Sequence, residues 1–136
     1  MAGAPPVVSA VSRPWWEALA RHEIAMQRCC DCQSWVFYPR GFCPSCGGRS
    51  LAWTRVEPEA TLHSWTVARV PVSKAFAHLE DPILAVAELS NSVRLPTVIR
   101  DALPEELQIG MALEPVFDSE TYDGFTLLCF RPAKPG

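Results

Sequence analysis

The chain has 136 residues, with 12 Lys+Arg against 15 Asp+Glu for a net charge of -3, 49% hydrophobic residues and six cysteines. That length buries a real core in one compact domain, with or without a small appended module, so covalent staples are optional. Only Lys74 and Lys134 are lysines, which leaves no basic stripe for nucleic acid, and no run of about 18 uncharged apolar residues offers a membrane span.

The opening MAGAPPVVSAVSRP lacks a basic region followed by an apolar run of signal-peptide length, so the expectation is a soluble, cytoplasmic protein. Structural disulfides are rare in that compartment. The first regular element is a helix over Pro14 to Gln27, PWWEALARHEIAMQ, with Ser12 as cap and Pro14 in the first turn. Its apolar positions are Trp15, Trp16, Leu19, Ala20, Ile24 and Met26. A broad stripe of this kind either packs on the core or serves as a docking arm. Adjacent tryptophans point about 100° apart on a helix, which favours giving one of them to a partner protein.

Five of the six cysteines fall between Arg28 and Cys46, in RCCDCQSWVFYPRGFCPSC. Cys29-x-x-Cys32 and Cys43-x-x-Cys46 are two knuckles able to present four thiolates to tetrahedral zinc. Iron suits the same donor set. A thioredoxin-like redox site needs a single such pair near a βαβ pattern, which is missing. Pro44 and Gly47 suit the second knuckle to a tight turn, whereas the first has Gln33 in the corresponding place and Cys30 as a spare thiol. The short loop between knuckles predicts a miniature ribbon whose zinc is structural, because four protein ligands leave no open coordination position.

Downstream, Leu51 to Val70 is rich in β-branched and aromatic residues and is broken at Glu57-Pro58, which predicts two strands. Pro82–Leu89 and Val93–Arg100 form a hairpin through Ser90-Asn91-Ser92, with Pro96 at an edge or bulge. Leu103–Gly110 holds one helical turn. Met111–Asp118 and Gly124–Pro132 are the last strands, joined through Ser119 to Asp123. Five or six strands with one small helix suit a five-stranded OB-type barrel, with Trp65, Val67, Ile83, Leu84, Val86, Leu89, Val98 and Leu127 as the expected core. The fold class is therefore mainly β. The expected organisation is a flexible N-terminus and helical arm over 1–27, a zinc ribbon over 28–50 and the OB-fold domain over 51–136.

The ordered series PWWEAL, QRCCDC, FYPRGFCPSCGG, TLHSWTV, VSKAFAHLEDPILAVAEL, IGMALEPVFD and FRPA covers nearly the whole chain. It resembles the zinc-ribbon/OB-fold family catalogued as domain of unknown function thirty-five. That family is associated with thiolases, thiolase-type acetyltransferases and the thiolase-like aldolases that shorten steroid side chains. The resemblance implies a rubredoxin-like ribbon, an OB barrel behind it, zinc on Cys29, Cys32, Cys43 and Cys46, and a scaffold role beside a thiolase-like or aldolase catalytic subunit. Two departures from the pattern stand out: Gln33 in place of a glycine, and Glu57-Pro58-Glu59-Ala60 in place of a glycine-bearing strand entry.

No catalytic residue is assigned. His22, His63, His78, Cys30, Cys129 and the pairs Glu80-Asp81 and Glu105-Glu106 form no recognised constellation. The functional expectation is a non-catalytic accessory subunit of an acyl-CoA thiolase or aldolase complex, with acyl-CoA bound jointly with the partner. The alternative is a nucleic-acid-binding OB module. Expected partner contacts are Trp15, Trp16, the ribbon edge Trp35, Phe37 and Tyr38, and Phe76 in the long loop Pro71 to Asp81. That loop either closes over the coenzyme A portion of the partner's substrate or simply connects two strands. Arg28, Arg40 and Arg49 border the ribbon as partner contacts or as cations for coenzyme A phosphates.

Overall fold

The computed structural model describes residues 6–69 and 81–134. The chain divides into two compact units, one over Val7–Glu57 and one built on Pro58–Gly136.

In the first unit, helix α1 (Arg13–Ala20) leads into β1 (Ile24–Cys29), β2 (Trp35–Val36) and β3 (Leu51–Val56), arranged as a three-stranded sheet in the order β2-β1-β3. The helix is thus shorter than the sequence suggests, and Ile24–Gln27 belongs to the central strand. The stop is made by His22 at φ 61: the Glu23 amide reaches back to the Ala18 carbonyl at 2.9 Å and the His22 amide to that of Leu19 at 2.9 Å. This closure usually carries glycine in the left-handed position, and a histidine there hides the stop. Pairing of β1 with β3 through six registered positions, from Ile24 opposite Val56 to Cys29 opposite Leu51, then overrides the helical pattern of EIAMQ. Leu51–Val56 is accordingly a ribbon strand, where the sequence reading made it the first strand of the barrel.

The second unit is a closed barrel of β4 (Ala60–Val67), β5 (Ile83–Leu89), β6 (Arg94–Ile99), β7 (Ala112–Asp118) and β8 (Leu127–Pro132), in the order β4-β5-β6-β8-β7. The mainly β architecture with an OB-type barrel is as expected. All neighbours are antiparallel except β6 and β8, which run parallel and meet at Ile99 opposite Phe130. Pro96 pairs with Val86 of β5 and lies away from that meeting point, so its missing N–H leaves no ladder bond unmade. A 3₁₀ turn, Pro104–Glu106, sits in the expected helical segment.

The barrel core differs in parity from the expectation. Burial alternates along β5, with Ile83, Ala85, Ala87 and Leu89 inside and Leu84 and Val86 half-buried on the other face. Trp65, Val67, Val98 and Leu127 are likewise half-buried. The interior is filled by Leu62, Leu113 and Phe130, all nearly inaccessible, together with Leu95 and Ile99. A five-stranded barrel is narrow, so small alanines opposite large rings fill it better than a uniform lining of large residues. Of the expected β5 core residues, Ile83 and Leu89 are therefore inside, and Leu84 and Val86 lie on the other face.

Candidate metal centre and partner face

Two knuckles of matching geometry make the centre. Cys29 ends β1, and the Gln33 amide closes the first turn onto the Cys29 carbonyl at 2.9 Å; the Gly47 amide closes the second onto the Cys43 carbonyl at 2.8 Å. The residue after each second cysteine takes positive φ, 66° at Gln33 and 78° at Gly47. Glycine accepts that conformation freely; glutamine pays roughly 1 kcal/mol for it. Local bonds offset the cost. Gln33 Nε2 donates to the Cys30 carbonyl at 3.1 Å, and the Gln33 carbonyl accepts from Arg28 Nε at 3.1 Å. The departure from glycine therefore leaves the knuckle closed.

The four sulfurs of Cys29, Cys32, Cys43 and Cys46 lie within 4.8 Å of one another, with Cys29–Cys46 and Cys32–Cys43 both at 3.6 Å. A tetrahedron with Zn–S of about 2.3 Å has sulfur–sulfur edges of about 3.8 Å. The donor set fits that ion in type, number and spacing. Charge argues the same way. The Ser34 hydroxyl, 3.2 Å away, and the Ser34 amide lower the Cys32 thiol to about 6. The Gly48 amide favours a thiolate at Cys46 too, yet the sulfurs of Cys29 and Cys32 beside it push that thiol up to about 12. Four crowded thiolates repel unless a cation sits among them. Cys29 and Cys43 are buried, whereas Cys32 and Cys46 are exposed, as is the spare Cys30.

The expected partner residues divide into three groups. Trp15, Phe37 and Tyr38 form a chain of rings, with centroids 5.4 Å apart for Trp15–Phe37 and 4.4 Å for Phe37–Tyr38; Trp15 and Phe37 are half-buried, and Tyr38 is exposed. Trp16 and Trp35 are half-buried, and Trp35 lies under the Arg28 guanidinium, 4.9 Å from its ring centre. Phe76, with His78 and nearly all of the loop Pro71 to Asp81, lies outside the described residues. Arg28 is engaged with Trp35 and Gln33, whereas Arg40 and Arg49 are exposed. Sequence reasoning missed Phe42, a large exposed ring directly before Cys43 of the four-cysteine cluster, and Gln27, a buried amide that reaches from β1 to Arg40. A polar side chain at a buried position of the strand Ile24–Cys29, next to Met26, was the signal available.

On the barrel, charged groups satisfy one another. Arg100 Nη2 donates to Asp118 Oδ2 at 2.7 Å, and Arg131 bridges Glu114 at 2.7 Å and Asp101 at 3.4 Å. Burial works against ionisation of Asp118, but the Thr121 hydroxyl, the Glu120 amide, Arg100 and the Thr121 amide outweigh it and hold the carboxyl at about 2. A groove of about 300 Å³ beside this network has Ile83, Val98 and Ile99 in its wall, with Asp81, Arg100 and Asp101. His22 and His63 are exposed and Cys129 is buried; burial raises the Cys129 thiol.

Residues 16–52 match the family model described as ChsH2, rubredoxin-like zinc ribbon domain, and residues 53–118 match ChsH2, C-terminal OB-fold domain. The chain belongs to the DUF35 family. It is 26% identical to a "DUF35 domain-containing scaffold protein" of Methanothermobacter thermautotrophicus, over 82% of this chain and 84% of that one. A "Probable enoyl-CoA hydratase alpha subunit" of Thermomonospora curvata is 34% identical over 96% of this chain, which spans only 40% of that protein's length. Among solved structures, a chain of the "Ltp2-ChsH2(DUF35) aldolase" superposes with a TM-score of 0.82 at 27% identity, covering 94% of this chain and 98% of that one. Among the described residues no helix is long and apolar enough to cross a membrane.

Proposed function

We propose that this chain is a non-catalytic accessory subunit of a thiolase-like acyl-CoA enzyme complex, a zinc-stabilised scaffold that docks on the catalytic subunit and helps it hold acyl-CoA. The observation that carries the reading is the end-to-end likeness to a chain of the Ltp2-ChsH2(DUF35) aldolase, at a TM-score of 0.82 and over nearly all of both chains. The scaffold name of the archaeal relative points the same way, and the name of the Thermomonospora relative, a probable enoyl-CoA hydratase alpha subunit, also belongs to acyl-CoA chemistry. Cys29, Cys32, Cys43 and Cys46 would hold zinc, whose binding energy adds to the folding energy of the ribbon. Among the described residues His22 and His63 are exposed, and Asp81, Glu88, Asp101, Glu114 and Asp118 each pair with an arginine, consistent with chemistry located on the partner.

Co-expression with a thiolase-like subunit encoded in the same genome, followed by size-exclusion chromatography with light scattering, tests the assembly. A stable complex that survives dilution to micromolar concentration is expected. Independent elution of the two proteins contradicts the reading.

A further inference from the structure

The loop from Phe37 to Phe42 carries two large rings into solvent: Tyr38 is 57% and Phe42 47% exposed. The loop is nonetheless held. Gln27, 5% exposed on the central ribbon strand, donates from Nε2 to the Arg40 carbonyl at 2.7 Å and accepts the Arg40 N–H on Oε1 at 2.8 Å. Both ends of a buried amide are thus committed to one loop residue, which satisfies the amide and orders the loop. Behind it the Phe37 ring is wedged between Trp15 and Tyr38. Rings presented from an ordered backbone lose little entropy on association.

Charge indicates what the loop meets. The ribbon unit, Val7–Glu57, has six arginines against four acidic residues, whereas residues 58–136 have six basic against eleven acidic. In the barrel Arg69, Arg94, Arg100 and Arg131 each pair with a carboxylate. Among the described residues, Arg40 in the loop and Arg13, Arg49 and Arg55 elsewhere in the ribbon unit do not. An exposed, unpaired guanidinium between two exposed aromatic rings complements an apolar pocket with an acidic rim. Arg40 is the single cation of the segment Phe37–Phe42, too few charges to track a phosphate backbone.

We infer that the loop Phe37–Phe42 is the face that docks the catalytic subunit, seating Tyr38 and Phe42 in an acid-rimmed apolar pocket with Arg40 paired to that rim and Gln27 as the positioning residue. This rests on the accessory-subunit reading and adds to it where the contact lies and what chemistry the partner presents.

The test is a titration of full-length wild type and variants against the purified thiolase-like subunit at low and high salt, with metal content measured on every variant. Tyr38→Ala and Phe42→Ala should each weaken Kd about ten-fold or more. Arg40→Gln should weaken it at low salt and flatten the salt dependence. Gln27→Ala should weaken it at unchanged metal content and speed hydrogen exchange at the Arg40 amide, while Gln27→Glu, which keeps the acceptor for that amide, should slow the exchange again. Unchanged Kd for Tyr38→Ala, Phe42→Ala and Arg40→Gln in a complex that forms would overturn the face and leave the accessory role standing. No binding by wild type would overturn both. Tight binding of a single-stranded oligonucleotide that Arg40→Gln abolishes would overturn the face in favour of nucleic acid.

Discussion

The ribbon and the barrel solve the same problem by different means. In the ribbon the cluster around the knuckles is Cys29, Val36 and Cys43 with Leu51 packed against it, two of its members being sulfurs that a metal would claim. The barrel closes on Leu62, Leu113 and Phe130, with Leu95, Ile99 and small alanines between. The charges differ in parallel: among the described residues, barrel arginines pair with intramolecular carboxylates, while Arg13, Arg40, Arg49 and Arg55 of the ribbon unit are exposed with no carboxylate partner. The ribbon unit thus combines a four-cysteine cluster with packed residues such as Leu19, Ile24 and Met26, whereas the barrel, among its described residues, rests on packing and ion pairs without such a cluster.

Breaking the knuckles should have the largest effect. Cys43→Ser, or stripping metal with a strong chelator, should cost several kcal/mol and collapse the amide signals of Val7–Glu57 while the barrel signals persist, because binding energy there is folding energy. Wild type should carry about one equivalent of zinc, and Cys129→Ser should keep it. Loss of both units together would erase the contrast between them.

Next in size is the barrel core. Phe130→Ala should destabilise by about 3–5 kcal/mol and Leu62→Ala by about 2–4 kcal/mol in chemical denaturation, whereas Val86→Ala, on the other face of β5, should cost clearly less. Equal losses at Val86 and Leu62 would mean that the parity along β5 is reversed.

Asp118 sharpens the electrostatic half of the comparison. Asp118→Asn removes a nearly buried carboxylate paired to Arg100 and should cost about 1–3 kcal/mol at neutral pH. The folded-state value of about 2 lies below the ordinary 3.8, so the stabilisation is fully present above about pH 4 and is lost as pH falls toward 2. The gap between wild type and variant should close over that window. The smallest effect belongs to Gln33→Gly, which relieves positive φ but gives up the bond to the Cys30 carbonyl; its stability should lie within about 1 kcal/mol of wild type.

The knuckles were legible because four thiolates at fixed spacing answer to one chemistry, and the barrel strands because alternation and turn residues mark their limits. The end of α1 was not, because His22 takes the left-handed position that glycine normally announces. The inward face of β5 was only partly legible, since ILAVAEL carries large residues on both faces, Ile83 and Leu89 inward with Ala85 and Ala87, and Leu84 and Val86 on the other. In the candidate partner face, Tyr38 was readable from its ring among polar turns. Arg40 was singled out as well, but Gln27 was not, since its link to Arg40 joins residues 13 apart in sequence and exists only once the sheet has formed.

Turnover of acyl-CoA by this chain alone, by the thiolase-like subunit alone and by the two mixed is the most direct measurement. No turnover above background by the chain alone, and a rate in the mixture well above that of the partner alone, is the predicted result. An ordinary enzymatic rate from the purified chain, or a partner fully active and soluble without it, would contradict the accessory role.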